Sequence, residues 1–195
     1  MRVLVFGCGG AGKTNMVREI SGKGENEFYE LASLDGFPLS DAQVKERIAD
    51  LMRECERGFH VGIHVVRQGR ITEAVCTEYE VVRAILPSLA VICIVTYCEN
   101  EEPMHKWVQD YSAHFLKCGL RYALMSGTCF AEGEGRYKLI MDKLRATSAT
   151  TVRQCLSRTS NHGIEKYVHT PRLEQDLVRY VLKKRRPPVF IGPRK

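Results

Sequence analysis

The stretch "VLVFGCGGAGKTNMV", residues 3–17, decides the fold. Four apolar residues lead into Gly7-Cys8-Gly9-Gly10-Ala11-Gly12-Lys13-Thr14, the G-x-x-x-x-G-K-[ST] spacing of a phosphate-binding loop. The apolar run reads as a β-strand and "KTNMVREIS" as the helix behind the loop, the context that separates a P-loop from a glycine-rich turn. Gly7, Gly9, Gly10 and Gly12 let backbone N–H groups converge without Cβ obstruction, with Ala11 as the small spacer. The helix start adds the positive end of its dipole. In such a loop Lys13 bridges the outer phosphates and the Thr14 hydroxyl ligates Mg²⁺. Cys8 reads as a second spacer. The alternative, a redox-sensitive thiol, is disfavoured because a neighbouring anion raises a thiol pKa.

The elements that follow alternate. Strand candidates are residues 2–7, 28–36, 60–66, 89–97 and 121–127, with helices expected over 13–21, 41–58, 72–86, 103–119 and 172–186. Ser40 and Thr72 are N-cap residues, Gly58 and Gly119 stop signals, and Pro103 stands at a helix start. Residues 133–156 read as one long helix or a broken pair, and the Ser/Thr-rich stretch 147–159 as a hinge for the last helix. This order implies an α/β fold with three layers, a P-loop NTPase fold whose mostly parallel sheet carries helices on both faces. The continuous apolar run "AVICIV" agrees, since strands covered on both sides do not alternate.

Composition sets limits on function. The chain has 195 residues, 44% apolar and 27% charged, ordinary for a soluble globular domain with one sizeable core. Eight cysteines occur without any C-x-x-C pair, which argues against a zinc site and fits thiols in a reducing, cytoplasmic setting. No secretory signal is expected at the N-terminus. The longest apolar run, residues 84–95, contains Pro87 and is too short for a bilayer span. The net charge of +6 is local: residues 183–195 hold six basic groups and no acidic one, and the remainder has 23 of each sign. That tail suits an anionic membrane surface, nucleic acid, a nuclear-import signal or plain solvent, and no prenylation box ends it.

Four segments together resemble the immunity-associated GTPases of the GIMAP, or avirulence-induced-gene, type. They are the P-loop, "GFHVGIHVVRQGRITEA" (residues 58–74), "VICIVTYCENEE" (residues 91–102) and "CGLRYALMSG" (residues 118–127). The second is the most diagnostic, through Gly58, His60, Gly69, Arg70, Thr72 and Glu73. The resemblance covers residues 1–145 as a GTPase-like domain. It leaves residues 146–182 as a C-terminal helical extension and 183–195 as a basic tail. It implies GTP or GDP with Mg²⁺ as ligands, Thr14 and Asp35 as metal-side residues, Glu99 and Ser126 on the guanine, and association of two copies through the nucleotide face. The scattered cysteines and the basic tail together lead to the expectation of a cytoplasmic protein that can be peripheral at membranes.

The departures from the family pattern are specific. No threonine lies between Thr14 and Thr72 to serve as the switch residue that senses the terminal phosphate. Asp35-Gly36 compresses the second switch motif, Glu99 stands in place of an aspartate, and Ser126-Gly127 in place of an asparagine. His60, His64 and His105 are expected to be structural; Arg70 is either a cis arginine finger or a surface ion-pair partner. A guanine-nucleotide binder with weak or absent hydrolysis is therefore expected. A pseudo-GTPase interaction module and a small ATP-dependent kinase are the alternatives.

Overall fold

The computed structural model describes residues 1–22, 26–34, 39–69, 71–159, 163–168 and 170–185. Five strands, β1 (Arg2–Phe6), β2 (Glu27–Glu30), β3 (Val61–Arg67), β4 (Val91–Thr96) and β5 (Leu124–Gly127), form one sheet in the order β2-β1-β3-β4-β5, every pair parallel. Parallel neighbours require crossovers. Helices α1 (Lys13–Ile20), α2 (Asp41–Arg57), α3 (Glu73–Ile85) and α4 (Lys106–Lys117) supply them. Two more, α5 (Lys138–Thr159) and α6 (Pro171–Arg185), follow β5.

Alternation along the strands builds two cores. On β1, Leu4 and Phe6 face α2, α3 and α4, while Val3 and Val5 face α1 and α5. On β4 the split is Val91, Cys93 and Val95 against Ile92 and Ile94. All six residues of β4 are buried, as a central strand covered on both faces must be. The arrangement is the three-layer α/β P-loop fold expected from the sequence. α6 adds an outer layer: Leu177 and Val181 are buried with the α2–α3 side of the core. Tyr180 donates to Glu80, and Lys184 pairs with Glu73 at 2.8 Å.

Local signals hold at most helix ends. The Ser40 hydroxyl accepts from the Gln43 N–H while the Gln43 side chain accepts from the Ser40 N–H, a capping box. Thr72 caps α3, accepting from Val75 N–H at 3.4 Å. Gly58, at φ 84, ends α2. Three expectations change. The second strand stops at Glu30 rather than residue 36, because its sole partner β1 turns into the P-loop after Phe6. α4 begins at Lys106, and Pro103 lies in the turn before it, with a cis bond to Glu102. The stretch 147–159 is no hinge: it is the second half of α5, packed on α1 through Ala149, Val152 and Leu156.

Candidate functional site

β1 ends at Phe6, and the chain turns at Gly7, whose φ is 141. A Cβ there would lie 2.1 Å from the Val65 carbonyl oxygen of β3, so only glycine permits the strand to leave the sheet at this point. Gly10 (φ 72) and Gly12 (φ 88) turn the loop left-handed before α1. In that conformation successive N–H groups form an anion-binding concavity. The loop is tied down from behind: the Thr96 hydroxyl, at the end of β4, donates to the Ala11 carbonyl at 2.7 Å.

Lys13 is 8% exposed, and its ammonium donates to the carbonyls of Gly7 (2.5 Å) and Cys8 (3.2 Å). The charge is held inside the loop it would serve. Beside it, the Thr14 hydroxyl donates to Glu30 Oε1 at 2.7 Å. Glu30 closes β2 in register with Val5 and so stands level with the P-loop. Asp35, expected from the sequence as a metal-side residue together with Thr14, lies outside the described residues; among the described residues the carboxylate in contact with Thr14 is Glu30. The missed signal was the strand end, which depends on pairing with β1 and not on local pattern. A hydroxyl and a carboxylate in contact are two hard oxygen donors, a set that fits Mg²⁺. Among the described residues no cluster of three or more His, Cys, Asp or Glu side chains forms a metal site.

The loops after β4 and β5 bound the other half. Tyr97 follows Thr96 with φ 64, and among the described residues it is the one non-glycine with positive φ. The Arg67 guanidinium lies 4.4 Å from the centre of its ring. Gly12, Asn15, Thr96, Tyr97, Phe130 and Ala131 line a crevice of about 20 Å³ next to the P-loop. Glu99 is half-buried, and its Oε2 has no hydrogen-bond partner among the described residues. The Cys129 thiol lies against this carboxylate; burial, and then the nearby Glu99 charge, push the thiol pKa up. Ser126 is not brought to the crevice. It lines a separate groove with Pro103, Val108, Thr147 and Thr151, and Phe130 and Ala131 hold the place beside the P-loop.

The remaining candidates are structural or outside description. His60 Nδ1 accepts from the Arg2 N–H at 3.0 Å. His64 is fully buried, stacked on Phe6 at 4.6 Å between ring centres, with Nδ1 2.8 Å from the Tyr122 hydroxyl. Burial, and then the Lys13 charge, lower its pKa to about 3. His105 is exposed at the start of α4, and Arg70 lies outside the described residues. All eight cysteines are thiols, not disulfides. Among the described residues no helix is long and apolar enough to cross a membrane.

No protein-family model matches the chain, and no curated protein matches it. Among solved structures, it is similar to the G domain of the T. maritima FeoB iron transporter at 14% identity and a TM-score of 0.47, over 77% of this chain and 98% of that one. A probable GTP-binding protein engB gives 9% identity and a TM-score of 0.48, over 79% and 100%. The Trp repressor binding protein from Bacillus subtilis gives 9% and 0.40, over 76% and 98%. These values are too low to carry an argument about activity. The fold rests on the parallel sheet and the P-loop at the end of β1.

Proposed function

We propose that the chain binds a guanine nucleotide with Mg²⁺, as a protein of the immunity-associated GTPase type whose intrinsic hydrolysis is weak or absent. The observation that carries this reading is the convergence of Lys13, Thr14 and Glu30 on the glycine-built loop after β1. Lys13 would exchange its two carbonyl partners for phosphate oxygens, and Thr14 and Glu30 would hold the metal, directly or through water. The metal, when bound, supplies positive charge at the terminal phosphates. Glu99, with an unpartnered carboxylate oxygen, is suited to accept from the guanine edge. Residues 1–145 form the nucleotide-binding body in this reading, 146–182 the helical extension, and 183–195 the basic tail, which suits an anionic membrane surface.

Weak turnover follows from what is missing. Between Thr14 and Thr72 no threonine can complete the metal shell and report the terminal phosphate. Single-turnover hydrolysis is expected on the order of 10⁻⁴ to 10⁻² per second, no faster than an unassisted switch protein. Measured against protein concentration, a rate that rises supports catalysis across a pair of chains, and fast turnover in dilute monomer overturns the proposal. A second reading, a pseudo-GTPase interaction module, draws support from the narrowness of the crevice beside the P-loop. Titration with fluorescent GDP, GTP and ATP analogues separates the two. Guanine-selective binding supports the first, and no binding supports the second.

A further inference from the structure

Two thiols meet where α3 packs against the end of α4. Cys76 stands on α3, and Cys118 caps the C-terminus of α4, donating its N–H to the His114 carbonyl at 3.1 Å. The two thiols are hydrogen-bonded to each other. The backbone around them is held in place. Tyr79, one helical turn on from Cys76, donates its hydroxyl to the Arg121 carbonyl and accepts from the Arg121 N–H at 3.1 Å. Its ring meets that of Tyr122 edge-on, with 5.3 Å between centres. Cys76, Cys118 and Tyr122 all pack against the same core cluster. Cys8, Cys76 and Cys118 are the half-buried cysteines, and the other five are buried. Cys76 and Cys118 are thus a pair in contact that solvent reaches, carried on elements already joined. Burial, and then the neighbouring Cys118 and Glu80, raise the Cys76 pKa, so at neutral pH it keeps its proton.

We propose that Cys76 and Cys118 are an oxidation site: a dithiol that closes to a disulfide by exchange with a low-molecular-weight disulfide, linking α3 to the end of α4. One thiol of the pair, as its thiolate, attacks the small disulfide, forms a mixed disulfide and releases one small thiolate. The second sulfur gives up its proton and attacks the protein sulfur of the mixed disulfide, expelling the other small thiolate. The two protons lost by the protein end on the two released thiols. The protein pair is oxidised by two electrons and the reagent is reduced by two. The standing contact between the thiols makes the second step intramolecular and short. In a reducing setting the pair rests as thiols, and the bond is a transient response to oxidant. Closure encloses about 40 residues, among them β4 and the loop after it. Neither thiol lines the crevice beside the P-loop, so the site works without a bound nucleotide.

The test is equilibration of the folded full chain in glutathione buffers of increasing oxidising strength, followed by alkylation, digestion and mass spectrometry. Two of the eight thiols should escape alkylation, and one cross-linked peptide pair, Cys76 with Cys118, should account for them. Dithiothreitol should return both. Cys76→Ser should leave Cys118 as a mixed disulfide with glutathione, and Cys118→Ser should do the same to Cys76, since the attacking partner is gone. The oxidised parent should also unfold at a higher temperature than the reduced parent, and neither serine variant should show that rise. A cross-link through any other cysteine overturns the proposal, as does a bond between two chains or a parent that stops at mixed disulfides. An oxidised parent that melts no higher than the reduced one has broken native packing to make the bond, and that overturns a preformed pair.

Discussion

The P-loop and the loops after β4 and β5 beside it are built by different means. The first is backbone: Gly7, Gly10 and Gly12 at positive φ, one lysine folded into the loop, one hydroxyl against one carboxylate. The second is side chain: Tyr97, Phe130, Glu99 and Cys129 on two loops that leave neighbouring strands. Backbone geometry is written in glycines at set spacing and survives large changes elsewhere. Side-chain recognition depends on one residue at a time.

The largest effect should follow from Lys13→Ala. Removing one partner of a desolvated charge pair costs about 2–5 kcal/mol, so nucleotide affinity should fall by about 30- to 5,000-fold. Thermal unfolding should show an intact fold. A variant that holds GDP as well as the parent breaks the comparison at its stronger side.

Glu99→Ala sharpens the other side. If Glu99 reads the guanine edge, GDP should weaken by about 1–3 kcal/mol while ADP is unaffected, because buried donors lose a charged acceptor. Parallel titrations with the two nucleotides decide it, and equal losses would remove Glu99 from the base subsite.

The third effect concerns the support beneath the P-loop. His64 takes up a proton in the unfolded chain below about 6.5 but resists it in the fold until about pH 3. The unfolded state therefore binds more protons in that window, and stability rises with pH across it. Full stability is present above pH 6.5, and the fall should approach 1.4 kcal/mol per pH unit, about 2 kcal/mol by pH 5. Urea unfolding of the parent and of His64→Gln, which keeps an acceptor for Tyr122, at pH 7 and pH 5 isolates this contribution. Parallel pH dependence in the two chains would assign the acid sensitivity to carboxylates.

What could be read in advance divides along the same line. β1, the P-loop and α1 are contiguous in the chain, and the caps at Ser40 and Thr72 need only residues three positions on, so local pattern suffices. The end of β2 at Glu30 depends on β1, far back in the chain, and so does the contact of Glu30 with Thr14. The displacement of Ser126 from the crevice depends on how β5 meets α4 and α5. The left-handed turn at Tyr97 carries no sequence mark, since glycine or asparagine would be the usual sign. His64 could be placed on a strand, but its stack on Phe6 and its bond to Tyr122 join three elements.

The hydroxyl of Thr96 reaches from the end of β4 to Ala11 O of the P-loop, with Val66 O at 3.3 Å as its second acceptor. One side chain thus ties the ends of β3 and β4 to the P-loop beneath the site. The two halves share a chassis, and they do not work as jaws on separate mounts. What is left free to move at the site is single side chains, first Lys13, whose ammonium rests on the Gly7 and Cys8 carbonyls.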